Sequence, residues 1–90
     1  MTKMRTLDVR GLACPEPAEA VLEAVATLAT GHYLEVIHYQ EPRLLYPHLQ
    51  KRGFSFLTQQ GAGSIIRVLI WREQDSEARD AVDAAIRGLP

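Results

Sequence analysis

Ninety residues, 47% of them hydrophobic and 23% charged, make one globular domain spanning residues 1–90, since two cores would leave each half too little apolar surface to offset chain entropy. The formal net charge of −1 argues against a general nucleic-acid binder, which needs a cationic surplus to displace counterions. No apolar run approaches the roughly 18 residues that span a bilayer, and Met1-Thr2-Lys3-Met4-Arg5 lacks the apolar core of a signal peptide. One cysteine permits no internal disulfide, so the expectation is a cytoplasmic protein with no membrane contact.

Residues 4–9 read as a strand with Leu7 and Val9 on one face. A helix starts at about Pro15. Its apolar positions Ala18, Val21, Leu22, Val25 and Leu28 recur at helical spacing, with Glu16, Glu19, Glu23 and Thr27 opposite. Pro15 suits a first helical position, Pro17 is still in the first turn, and Gly31 is a natural C-cap. Residues 32–39 form a second strand, broken by Glu41-Pro42. Residues 43–52 read as a short helix turning Leu44, Leu45, Leu49 and His48 toward the core, with Pro47 forcing an irregular or late start. Residues 54–59 and 64–72 are strands joined through Gln60-Gly61-Ala62-Gly63. A last helix over 76–87 carries Ala78, Val82, Ala85, Ile86 and Leu89 on one stripe, capped by Asp75 or Ser76 and ended by Gly88.

The order β-α-β-α-β-β-α implies an α+β fold. Parallel pairing with a right-handed crossover is expected first, then an antiparallel hairpin, with the first two helices on one face of a mixed four-stranded sheet. The opposite face then carries Tyr33, Ile37, Tyr39, Leu69 and Trp71, and needs a cover. The last helix and a second subunit, making a homodimer through the outer sheet face, are equal candidates.

Cys14 stands just before Pro15 at a helix start. Unpaired backbone N–H groups and the positive end of the helix dipole favour an anion there and lower a thiol pKa. The thiolate is a nucleophile and the form that holds a transferred sulfur atom. Arg10, four residues earlier, adds positive charge, whereas Glu16 and Glu19 oppose the effect. On position alone, a reactive thiol and a small buried apolar side chain stand level.

The run Leu7-Asp8-Val9-Arg10-Gly11-Leu12-Ala13-Cys14-Pro15-Glu16-Pro17 resembles the signature of the TusA/SirA family of small sulfur carriers. That signature is an Asp, an Arg-Gly-Leu, then Cys-Pro-any-Pro opening the first helix. Gly31-His32-Tyr33-Leu34-Glu35-Val36 resembles the family's helix-to-strand junction, and the resemblance covers about residues 5–72, with 74–90 a C-terminal helix extension. It implies a two-layer α/β sandwich with sheet order 1-2-4-3. It also implies that Cys14 carries a persulfide, received from a cysteine desulfurase or another sulfurtransferase and passed to a downstream sulfur-acceptor protein. Arg10 would then steer the anion, Gly11, Pro15 and Pro17 would shape the loop, and Asp8 would cap its backbone. Segment 41–49 departs from the usual carrier pattern and resembles an uncharacterised SirA-related branch, which implies as an alternative a non-catalytic interaction module for respiratory or redox partners.

His32, His38 and His48 match no metal-ligand spacing, so no metal or cofactor is expected. Lys51, Arg52 and Arg43 read as a solvated helix face, and Gly61 and Gly63 as a turn joining two strands, since no helix follows them to bind phosphate.

Overall fold

A computed structural model describes residues 3–11 and 16–88, the side chains of Glu16 and Pro17 excepted. Along the chain lie β1 (Met4–Asp8), α1 (Glu16–Ala26), β2 (Tyr33–His38), a 3-10 turn (Arg43–Leu45), α2 (Tyr46–Lys51), β3 (Phe54–Gln60), β4 (Ile66–Arg72) and α3 (Ser76–Ile86). The four strands form one mixed sheet in the order β1-β2-β4-β3. β1 and β2 are parallel, with α1 as the crossover, and β4 is antiparallel to both β2 and β3. The fold is the expected α+β two-layer sandwich, with α3 added on the other face of the sheet.

Strand alternation explains the layers. On the inner face Leu34 and Val36 of β2, Val68 and Ile70 of β4, and Phe54 of β3 meet Val21, Ala24 and Val25 of α1, with Leu28, Leu45 and Leu49 completing the cluster. Leu34, Leu49, Val68 and Ile70 are wholly buried. Each such side chain stabilises the fold by roughly 1.5–3 kcal/mol relative to an exposed one. The outer face is apolar only in part. Tyr33, Leu69 and Val82 form a second cluster with Met4, Trp71 and Ala81 against it, so α3 of the same chain covers this half of the face.

The late start forced by Pro47 is present: the residues before it make the 3-10 turn, and Pro47 lies in the first turn of α2, where its missing N–H costs nothing. Two expectations for this segment are corrected. Leu44 is 90% exposed, and His48 is exposed as well. The tighter 3-10 turn points Leu45 inward and swings Leu44 out, and from there only Leu49 and part of Tyr46 reach the core.

Gly31 does not cap α1 as expected. The helix ends at Ala26, and the Thr27 hydroxyl donates to the Ala24 carbonyl (3.2 Å). The last carbonyls find donors elsewhere in the fold: Arg5 of β1 reaches Ala24 (3.4 Å), and Arg72 of β4 reaches Leu28 and Val25. These guanidiniums also balance the negative end of a helix with no basic residue in its last turn. Gly31 adopts φ 81° in the later turn, and its N–H donates to Asp75 (2.8 Å). Asp75 is the N-cap of α3, its other carboxylate oxygen accepting from the Ala78 N–H at 3.1 Å. One carboxylate thus ties the start of α3 to the turn before β2. Those two N–H groups, Gly31's first, hold the Asp75 carboxyl below its ordinary pKa. Gly88 ends α3 at φ 70°, as expected.

Candidate functional site

The site begins where β1 ends. Asp8 is the last residue of the strand, and one of its oxygens accepts the backbone N–H of Arg10 at 3.0 Å, a local bond that bends the chain out of the sheet. The Arg10 guanidinium returns to the same carboxylate through Nε (2.9 and 3.1 Å) and Nη2 (2.6 Å). A planar fork on a carboxylate fixes direction as well as distance. The other side of the guanidinium is flanked by Tyr39, whose ring centroid lies 5.9 Å from Cζ, so the end of β2 helps to place it. Arg10's side-chain hydrogen bonds, followed by its backbone N–H, hold the Asp8 carboxyl at about 2, below its ordinary 3.8. Asp8 in turn raises the pKa of Arg10. Both groups are well exposed, so the pair serves geometry more than stability.

Gly11 follows with φ 88°, and no atom of the described residues comes within contact of the place where a Cβ would stand. The positive φ makes a substitution there cost conformational strain on the order of 1 kcal/mol. Asp8, Arg10 and Gly11 are thus brought together in one turn. Cys14 and Pro15, both expected in the site, lie outside the described residues. Pro17 is the second residue of α1. In sequence, Cys14 lies between the Asp8–Arg10 turn and the first residue of α1.

Sequence reasoning missed a second polar group, on the outer face. Glu35 is 5% exposed. Its carboxylate pairs with Arg67 of β4 and accepts the Thr6 hydroxyl of β1 at 3.3 Å, joining three strands. The signal was readable: Glu35 interrupts the apolar run of β2, Arg67 interrupts that of β4, and the two have opposite signs. Glu35 pairs across the sheet with Leu69, and Arg67 with Ile37, so the two charges are diagonal neighbours.

His38 accepts the backbone N–H groups of Tyr39 (2.7 Å) and Gln40 (3.2 Å) on Nδ1, closing the end of β2. Tyr39, at 56%, and Leu44 are the large apolar side chains most exposed in the segment that follows β2. No described helix is long and apolar enough to cross a membrane.

The model of a family described as uncharacterized conserved protein (DUF2249) matches residues 6–72, ending where β4 ends and before α3. Among solved structures, the crystal structure of the SirA-like protein from Desulfitobacterium hafniense is similar, with a TM-score of 0.64 and 21% identity over 74% of this chain and 93% of that one. At that identity the likeness is one of fold. No curated protein matches the chain.

Proposed function

The chain belongs to the uncharacterized conserved protein family DUF2249, and within it we propose that this member is a sulfur carrier working through Cys14. The observation that carries the reading is the Asp8–Arg10–Gly11 turn, a bend held by an ion pair at the end of β1, which in sequence comes shortly before the Cys14-Pro15 pair. The SirA-like fold and the Cys-Pro-any-Pro wording support it.

The chemistry is a redox-neutral transfer. The Cys14 thiolate attacks the terminal sulfur of a donor persulfide. A sulfur–sulfur bond forms on Cys14, the donor's own sulfur–sulfur bond breaks, and the donor cysteine leaves as a thiolate. An acceptor thiolate then repeats the step on Cys14 and frees it. A cysteine desulfurase or another sulfurtransferase is the donor in this reading, and a downstream sulfur-acceptor protein the recipient. Since two guanidinium nitrogens are committed to Asp8, Arg10 acts first by holding the bend and only secondarily through its charge. Pro15 and Pro17 stiffen the entry to α1.

Incubation with a cysteine desulfurase and free cysteine, followed by intact-mass measurement, tests this. One added sulfur atom on the wild type and none on Cys14→Ala is expected. No gain, or an equal gain on both, defeats it.

A second reading, a non-catalytic interaction module, is favoured by Tyr39, exposed beside the Arg10 guanidinium, and by Leu44, exposed further along the segment that follows β2. A chain that binds a redox or respiratory partner equally well with Cys14→Ala, and never loads sulfur, would establish it.

A further inference from the structure

β3 is an outermost strand of the sheet, paired with β4 on one side only. Its ladder fixes which backbone groups face outward. Gly53 O accepts from Glu73 N (2.9 Å) and Gly61 N donates to Ile65 O (2.7 Å), and the same register continues between these two bonds. Both N–H and C=O of a residue in an antiparallel strand point to one side, and the side alternates. Ser55, Leu57 and Gln59 therefore bond to β4. Phe54, Phe56, Thr58 and Gln60 turn their main-chain donors and acceptors to the open edge, where no described backbone group meets them.

Exposed edges are usually blunted by charge, proline or a bulge. Phe54-Ser55-Phe56-Leu57-Thr58-Gln59-Gln60 has no charge and no proline, and its pairing with β4 runs through all seven residues without a break. A groove of about 400 Å³ runs beside the strand, lined by Gln50, Phe54, Ser55, Phe56 and Glu73. α3 packs mainly on β2 and β4, and Leu57 is half-buried on the outer face.

We propose that β3 is the contact between two copies of this chain, paired antiparallel about a two-fold axis at Leu57 and joining two four-stranded sheets into one. This inference is independent of the sulfur-carrier reading. A second copy is the occupant that fits, because that register satisfies both backbone and side chains. The outward-facing residues fall opposite one another, Phe54 with Gln60 and Phe56 with Thr58, each pair exchanging two main-chain hydrogen bonds. Leu57 meets Leu57 at the axis in the closer, non-hydrogen-bonded position, and Ser55 meets Gln59. No charge faces a like charge anywhere along the seam. β1, which leads to the Cys14 segment, is at the far edge of the sheet, so pairing through β3 leaves that edge alone.

Sedimentation of the full chain, together with residue-resolved amide exchange, tests the proposal. A mass twice that of the monomer is expected, with slow exchange at Phe54, Phe56, Thr58 and Gln60 as well as at the residues facing β4. Leu57→Lys sets two ammonium groups against each other and is expected to weaken association roughly tenfold or more. Mixing Leu57→Lys with Leu57→Glu is expected to restore it. A wild-type monomer into the millimolar range, a dimer whose four outward amides exchange freely, or a folded Leu57→Lys chain that still dimerises would each overturn the proposal. So would protection of those amides appearing only when a different polypeptide is added. Should Leu57→Lys fail to fold, the wild-type amide pattern decides.

Discussion

Along β1 the sheet edge is short and charged: Arg5 bonds to the end of α1, Thr6 to Glu35, and Asp8 to Arg10. Along β3 the edge is longer and uncharged, and it is held by aromatic contact, with Tyr46 of α2 stacked on Phe56 at 4.0 Å and bonded through its hydroxyl to Thr58. The difference separates two tasks. Charged side chains that are already tied down make a poor template for an added strand but can fix the bend in which the chain leaves β1. A neutral strand with open backbone groups fixes nothing beyond itself, and is suited to pairing.

The largest expected effect comes from breaking the charged tie in the middle of the sheet. Arg67→Met leaves Glu35 buried without its cation, and should cost about 3 kcal/mol in urea unfolding at neutral pH. Glu35→Gln should cost less, because the Arg67 side chain it strands is 43% exposed and keeps its water. Equal losses for the two variants would contradict the asymmetry.

Next come two single-contact changes. Asp75→Ala removes the α3 cap and the link to Gly31, and is expected to lower stability by about 1 kcal/mol. On the β3 side, Tyr46→Phe keeps the ring stack and removes only the hydroxyl, with an expected loss of about 1 kcal/mol that salt does not alter. A strongly salt-dependent loss would mean that β3 is held by charge after all.

The smallest effect on stability belongs to the Asp8–Arg10 pair, which is read best by titration. Asp8 has its pKa lowered to about 2 from an ordinary 3.8, so what the pair contributes is fully present above the unfolded value and is lost as the pH falls through about 2. Carboxyl NMR should find that midpoint in the wild type and a return toward 3.8 in Arg10→Gln. An unchanged midpoint would show that the guanidinium does not hold the carboxylate.

Much of the architecture was legible because each element kept one hydrophobic period. α1 and α3 repeat at helical spacing, and the alternation of Ile66, Val68 and Ile70 with Arg67, Leu69 and Trp71 marks a strand with two working faces. The sheet order followed from the family resemblance, because hydrophobic pattern alone is compatible with several strand orders. What escaped depends on tertiary partners. Leu44 looks like a core residue until the 3-10 turn rotates it outward, and Glu35 is intelligible only once β2 and β4 are neighbours. Of the candidate site, Asp8 as a backbone cap came with the family resemblance, whereas the guanidinium's return to Asp8 was not legible in the sequence. Cys14, on which the proposed chemistry rests, lies outside the described residues and is located by the sequence alone.

The most direct measurement is therefore a complete cycle on that residue. The full chain is loaded by a cysteine desulfurase, freed of the donor, and weighed before and after addition of an acceptor thiol. One sulfur atom gained and then surrendered, with no gain on Cys14→Ala, is the expected result. A mass that never rises, or one that rises and stays when the acceptor is present, would contradict a carrier role for Cys14.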